Sequence, residues 1–320
     1  MEEQLAIDVR RLCRSFATGR RRNRRTVEAV RNLDLEIRRG ERVAFIGPNG
    51  AGKSTSIKML TGILRPTSGT GKVLGLVPWE SRRALAKRIG TLFGQRSLLW
   101  SELSPRATLE MLGAIHGLED SFVHGRIGGL GELLAADDLF DQPARTLSLG
   151  QRMRCELAAA MLHEPELLFL DEPTIGLDLL AKQRFRDLLL LLNTELGTTV
   201  FLTSHDVADI EHVAERAIVV NDGAVIYDAA VADMRNELLK TKSIRIGFES
   251  RDHAASFAGR IEYEWRYASG TSSIVVISLD TGVHPVGPVL DEVMSAAGVI
   301  DLSVIDAPLE EVIGEIYERQ

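Results

Sequence analysis

The chain has 320 residues, 45% of them hydrophobic, enough to bury a large core and build one large domain beside a smaller one. A net charge of −7 argues against a general binder of nucleic acid. Its two cysteines, Cys13 and Cys155, form no disulfide framework and lack metal-ligand spacing, which fits a reducing cytosol. The start MEEQLAIDVRR has no apolar signal core, and no apolar run approaches the ~18 residues that span a bilayer, so a membrane role requires partner subunits.

In chain order, Leu5, Ile7 and Val9 alternate as in a strand, and a basic loop, GRRRNRRT, leads to a second strand-like segment from Val27 to Ile37. ERVAFIG after Gly40 reads as a buried strand entering a glycine-rich turn and a helix. From about 91 to 165 the text is mostly helical, and LSLGQRMRCELAAAML (147–162) reads as a polar turn opening an amphipathic helix. LLFLDE and TTVFLTSH are short apolar strands with a helical segment between them, and AIVVNDGAVIYD reads as a hairpin on its Asn-Asp-Gly turn. Buried strands alternating with helices imply a mostly parallel α/β sheet. A composition shift near 238–242 separates a domain over 1–240 from one over 241–320. The second carries a βαββαβ-like order that suits a ferredoxin-like α+β domain, then a last helix, PLEEVIGEIYE.

GPNGAGKST, residues Gly47, Pro48, Asn49, Gly50, Ala51, Gly52, Lys53, Ser54 and Thr55, fits G-x-x-x-x-G-K-[ST] between a predicted strand and a predicted helix. The glycines let backbone N–H groups turn inward around a phosphate, Lys53 reaches the outer phosphate oxygens, and the Ser54 hydroxyl can sit on Mg²⁺. The strand LLFLDE delivers Asp171 toward the Mg²⁺ shell and Glu172 one residue beyond, where it can orient or deprotonate a water; capping before Pro173 is the plainer role. His205, at the end of TTVFLTSH, falls on the carboxyl edge of a parallel sheet, where ligands bind, although a lone histidine there is more often structural. The Ser148 hydroxyl and Gly150 N–H, at a helix start, are donors suited to a phosphate.

Together these pieces resemble the nucleotide-binding subunit of an ABC transporter, over about the first three-quarters of the chain and in the family's motif order. Gly47–Thr55 resembles the Walker A loop, LFGQ with Gln95 the Q-loop, LSLGQ with Gln151 the signature, LLFLDE Walker B, Gly176-Leu177-Asp178 the D-loop, and His205 the H-loop. Phe16 takes the place of the aromatic that stacks on adenine, with a core phenylalanine the equal alternative. QRSLLWSELSP, FLDEPTIGLD and the ending DLSVIDAPLEEVIGEIY are similar to type-2 exporters, in particular the viologen-exporter-like group.

The resemblance implies a P-loop NTPase fold with a RecA-like core, an antiparallel β subdomain and a helical subdomain. It implies ATP and Mg²⁺ as cofactors, with Ser54, Gln95 and Asp171 near the metal and Glu172, His205 and Gln95 at the reaction. It further implies that two such subunits pair head to tail, each ATP held between one Walker A loop and the other signature, with Asp178 nearby. Their partners would be multi-span permeases, through which the subunits sit in the cytoplasm on the inner face of the cell membrane, and no nucleic acid is implied. Leu149, where the family has glycine, then has to point away from the phosphate. Leu98, Leu99 and Trp100 are either helical-region core or a wall for a permease segment, and the arginines from Arg20 to Arg25 are either a solvated loop or a contact for acidic permease or lipid. An importer subunit with a regulatory tail and a soluble non-transport ATPase are the alternatives.

Overall fold

The computed structural model describes residues 5–18, 25–93, 97–238, 241–268, 271–281, 283–306 and 316–317. The chain divides into two compact units, Met1–Val231 and Ala232–Gln320. The first unit runs β1 (Leu5–Thr18), β2 (Arg25–Arg38), β3 (Arg42–Ile46), α1 (Lys53–Leu60), β4 (Ser68–Val73), α2 (Arg82–Ala86), β5 (Ile89–Phe93), α3 (Pro105–His116), α4 (Asp120–Leu133) and α5 (Leu149–Met161). It continues through β6 (Leu167–Asp171), α6 (Leu179–Leu196), β7 (Thr199–Thr203), α7 (Val207–Val213), β8 (Arg216–Asn221) and β9 (Ala224–Ala230), and α8 (Val231–Leu238) follows.

Six strands form one sheet in the order β5-β6-β7-β3-β8-β9, parallel from β5 to β8 with β9 antiparallel at the edge. The period of two along β6 decides its packing. Leu167 and Phe169 enter a core shared with α1, β1 and β2, while Leu168 and Leu170 enter the core shared with the helices from α3 to α6. A strand covered on both faces must be apolar throughout, which is why LLFL carries no alternation. Phe45, Phe169 and Phe201 meet across β3, β7 and β6 at 5.3 and 5.5 Å between ring centroids. Each such side chain contributes about 1.5–3 kcal/mol on burial. A separate antiparallel sheet, order β2-β1-β4, covers the first core, with Ile7, Val9, Leu12, Leu35 and Ile37 buried.

Helix α3 begins at a Ser104 cap that accepts from the Ala107 amide, has Pro105 in its first turn, and ends on left-handed Gly117. It packs with α4 and α5 around Leu109, Val123, Ile127 and Leu157. One expected boundary moves. Thr91, Leu92 and Phe93 pair with Phe169, Leu170 and Asp171 in the parallel sheet, so the helical region begins after Phe93 rather than at 91. The run Ile89–Phe93 is too short for its period to separate strand from helix, and only its pairing with β6 decides. The β8–β9 hairpin turns on Asp222 and Gly223, both at positive φ (46° and 81°), as a type I′ turn demands.

The second unit runs β10 (Thr241–Phe248), α9 (Arg251–Ala258), β11 (Glu264–Tyr267), β12 (Ile274–Asp280), α10 (Val286–Met294) and β13 (Val299–Asp306). This βαββαβ succession builds one antiparallel sheet in the order β11-β12-β10-β13, with α9 and α10 supplying Phe257, Val289 and Val293 to a core with Ile244, Ile246 and Ile277. The expected final helix falls almost wholly outside the described residues.

Candidate nucleotide site

The parallel sheet brings the ends of β3, β6 and β7 to one edge, so the loops that follow them meet there. After β3 comes the glycine loop. A Cβ on Gly47 would lie 2.5 Å from the Val220 carbonyl oxygen and 2.8 Å from its Cγ2, so the loop sits tight against β8 only because that side chain is absent. Gly52 takes φ +98° as the N-cap of α1, where no side chain caps the helix and the first-turn amides are presented to a ligand. The hairpin turn braces this loop from behind, the Gly223 amide donating to the Ala51 carbonyl at 3.1 Å. Lys53 is buried; its ammonium donates to the Gly47 and Pro48 carbonyls at 2.6 and 3.3 Å. Asn49 and Gly50 are exposed, and Ser54 and Thr55 are half-buried in the first turn.

The end of β6 delivers Asp171 and Glu172. Glu172 adopts φ +54°, a left-handed conformation uncommon for a side chain of this size. Its two carboxylate oxygens take different partners. Oε1 lies 3.6 Å from the Lys53 ammonium, and Oε2 lies 2.7 Å from His205 Nδ1. The strand before His205 stops at Thr203, so the histidine stands two residues past its end, with a side chain 65% exposed. Lys53, Glu172 and His205 thus form one contiguous group, with Asp171 beside Glu172.

LSLGQ forms a second group. Ser148 caps α5 through a capping box: its Oγ accepts from the Gln151 amide at 3.3 Å, while the Gln151 side-chain oxygen accepts from the Ser148 amide at 2.9 Å. The Ser148 hydroxyl keeps its proton to donate, whereas the Gln151 side chain is engaged in the cap. Asp178 likewise caps α6, accepting from the Ala181 amide at 2.8 Å. Ser148, Gly150, Gln151, Asp178 and Arg184 line one cleft. Leu149 is 47% exposed and leans toward Gly176, where an added Cβ would come within 3.2 Å of its Cδ2. Among the described residues no hydrogen bond or ion pair joins this group to the Lys53–Glu172–His205 group.

Gln95 lies outside the described residues, as do Arg20, Arg21, Arg22 and Arg24. Phe16 is half-buried on β1, opposite Val27, with the Arg14 guanidinium 4.6 Å from its ring centroid, and so stands outside the fully buried core. Leu99 is buried in the helical core, while Trp100 is 45% exposed. Burial pushes the Cys155 thiol up to about 12, which keeps it an inert packing group.

Two polar clusters carry no motif. Asp209, 1% exposed, accepts from Arg186 Nε at 2.6 Å, Thr174 Oγ1 at 2.5 Å and Ser204 Oγ at 2.7 Å. It thereby ties the turn after Glu172 to α6 and to the residue before His205. Burial raises the Asp206 pKa, but the Lys182 hydrogen bond and the charges of Lys182 and Arg186 outweigh it, leaving the carboxyl below its ordinary value. Glu156, on α5, accepts from Ser97 at 2.5 Å and Arg152 at 3.1 Å, joining the signature helix to the segment just after Gln95. Periodicity marks Asp209 and Glu156 only as polar residues on otherwise apolar helix faces, which is the one signal that could have singled them out.

A parallel sheet with a phosphate loop after β3 and two acids at the end of β6, separated from β3 by β7, defines a P-loop NTPase. A sequence model described as ABC transporter matches residues 30–175. The ABC transporter ATP-binding protein NatA of Bacillus subtilis (strain 168) is 31% identical over 211 residues, 66% of this chain and 85% of NatA. The daunorubicin resistance ATP-binding protein DrrA3 of Streptomyces coeruleorubidus is 38% identical over 213 residues, 66% of each chain. Among solved structures, the dimeric structure of MJ0796, a bacterial ABC transporter cassette, matches with a TM-score of 0.61 at 25% identity, covering 70% of this chain and 98% of that one. The chain belongs to the ABC transporter ATP-binding family and is an ABC ATPase. No helix among the described residues is long and apolar enough to cross a membrane.

Proposed function

We propose that the chain is the ATP-driven motor of a membrane exporter, acting as a head-to-tail pair beside separate multi-span permeases on the cytoplasmic face of the membrane. The observation that carries the pairing is the separation of the two donor groups. One chain presents a phosphate loop with Lys53, Glu172 and His205, and elsewhere a signature helix start that none of these reaches. A second copy, turned about a two-fold axis, brings a signature to each phosphate loop, and two sandwiched ATPs make closure bivalent. The existence of a dimeric cassette of the same fold supports this, and the drug-resistance role in the name of DrrA3 supports outward transport.

Within the site, the amides of the loop and of the first turn of α1 bind the phosphates, and Lys53 shifts one of its three N–H donors from a loop carbonyl to a phosphate oxygen. The Ser54 hydroxyl and an Asp171 carboxylate oxygen are the hard oxygen donors that suit Mg²⁺, which when bound neutralises phosphate charge. Glu172 Oε1 accepts the proton of the attacking water. His205, joined to Oε2, holds the carboxylate in place and reaches toward the γ-phosphate from a mostly exposed position. Ser148 and Gly150 of the partner complete the cradle.

Glu172→Gln preserves volume and removes the base. The variant should bind ATP, lose at least about 100-fold in turnover, and elute as a dimer with ATP and a monomer without it. Normal turnover by this variant refutes the role of Glu172, and a monomer with ATP refutes the paired site. Recovery of the tagged chain from membranes without any multi-span protein counts against the transport arm.

A further inference from the structure

Between the two acidic residues at the end of β6 stands a hydroxyl that no motif marks. Thr203, wholly buried at the end of β7, donates from Oγ1 to Asp171 Oδ1 at 2.7 Å. The same Oγ1 accepts from the Glu172 amide at 3.1 Å, and that amide also reaches the Thr203 carbonyl at 3.1 Å. Asp171 and Thr203 are the last paired residues of the β6–β7 ladder. Immediately beyond that rung the chain turns into the left-handed conformation of Glu172.

We propose that Thr203 is a positioning residue for ATP hydrolysis, whose single hydroxyl orients the Asp171 carboxylate toward the metal shell and pins the turn that aims Glu172. The inference rests on the reading of Asp171 and Glu172 given above. A threonine hydroxyl has one proton and two lone pairs. Here the proton is committed to Asp171, which settles the rotor and leaves a lone pair facing the Glu172 amide. One carboxylate oxygen of Asp171 is thereby engaged, and the other is left to face the metal shell. At the same time the two-centre grip on the Glu172 amide, through Oγ1 and the carbonyl, supports a backbone conformation that is costly for a non-glycine residue. With Thr203 fully buried, water cannot replace the hydroxyl if it is removed. Asp171 would lose a charge-assisted bond and Glu172 half of its anchor in one substitution.

A threonine that merely satisfies a strand end would affect stability and all activities together, whereas a positioning threonine acts on the metal-dependent step. Thr203→Val keeps shape and β-branching but removes the hydroxyl; Thr203→Ser keeps the hydroxyl. Each full-length chain is assayed for Mg²⁺-dependent ATPase kcat and KM, and for binding of a fluorescent ATP analogue in Mg²⁺ and in EDTA. For valine, loss of a hydrogen bond to a charged group predicts kcat lower by about 10- to 100-fold. The Mg²⁺-dependent gain in analogue affinity should shrink while affinity in EDTA stays within about twofold, and serine should restore kcat to within about threefold. A valine variant with wild-type kcat, a loss serine does not recover, or an equal loss of affinity in Mg²⁺ and EDTA overturns the proposal. Where valine prevents folding, Thr203→Ala against Thr203→Ser makes the same comparison. A wild-type chain without Mg²⁺-dependent hydrolysis overturns the site reading as well, whereas an active wild type with an unaffected valine variant overturns the Thr203 role alone.

Discussion

Stability should fall as pH drops from 6.5 toward 4, and His163 is the reason. Its ring follows helix α5, stacks on His116 with centroids 4.2 Å apart, and donates from Nε2 to the Ile89 carbonyl at 2.9 Å. Nδ1 is buried without a hydrogen-bond partner. That arrangement suits the neutral ring, and a second proton would enter a desolvated site with no acceptor. Burial therefore pushes the pKa from its ordinary 6.5 to about 4. In the unfolded chain the imidazole protonates near 6.5, so between these values the unfolded state binds more protons and stability rises with pH. Below 4 the full cost applies. A shift of about 2.5 units at about 1.36 kcal/mol each is roughly 3 kcal/mol, of which about 2 kcal/mol falls between pH 7 and pH 5. His163→Gln keeps an amide donor for Ile89 and removes the titration. Urea unfolding of both chains at pH 7 and pH 5 tests this: the wild type should lose about 2 kcal/mol more than the variant on acidification. Equal losses would refute the reasoning, because His116, also depressed by burial and by Lys87, is present in both chains.

Two further outcomes follow from close contacts near the site. Gly47→Ala would drive a methyl group against the Val220 carbonyl at 2.5 Å, so the loop must shift; nucleotide affinity should fall at least about tenfold while the overpacking costs about 1–3 kcal/mol, measured by analogue titration and thermal unfolding. Asp209→Ala removes the Nε partner of the buried Arg186, leaving that guanidinium Asp206 at 3.3 Å, and releases Thr174 and Ser204, which should cost about 2–3 kcal/mol in urea unfolding; a loss below about 1 kcal/mol would show that Asp209 is not the hub it forms in the structure.

Much of the site was legible because its chemistry is local. The turns of Gly47–Thr55 depend on which backbone conformations neighbouring residues allow, and the cap at Ser148 depends on a residue three positions on. The apolar runs around Phe169 and Phe201 announce doubly buried strands for the same reason: each residue carries its own transfer free energy. These features need no knowledge of the rest of the chain. The start of the helical region is less legible, because Ile89–Phe93 is a five-residue run, IGTLF, without a distinctive period, and β5 is defined by its pairing with β6.

Local chemistry points to the phosphate loop, the acids that follow β6, the signature helix start and the alternation of strands and helices. The sequence also implies the two-unit layout, since composition and turn chemistry change along the chain. Which groups touch depends on the folded chain. Asp171 meets Thr203 across 32 positions, Glu172 meets His205 across 33, and Arg186 meets Asp209 across 23. The folded chain also decides that Gln151 is held in its own helix cap, and that Leu149 leans on Gly176. The reason is physical. Backbone preference is set within a few residues, whereas a hydrogen bond between strands depends on register, and register is chosen by the packing of the whole sheet.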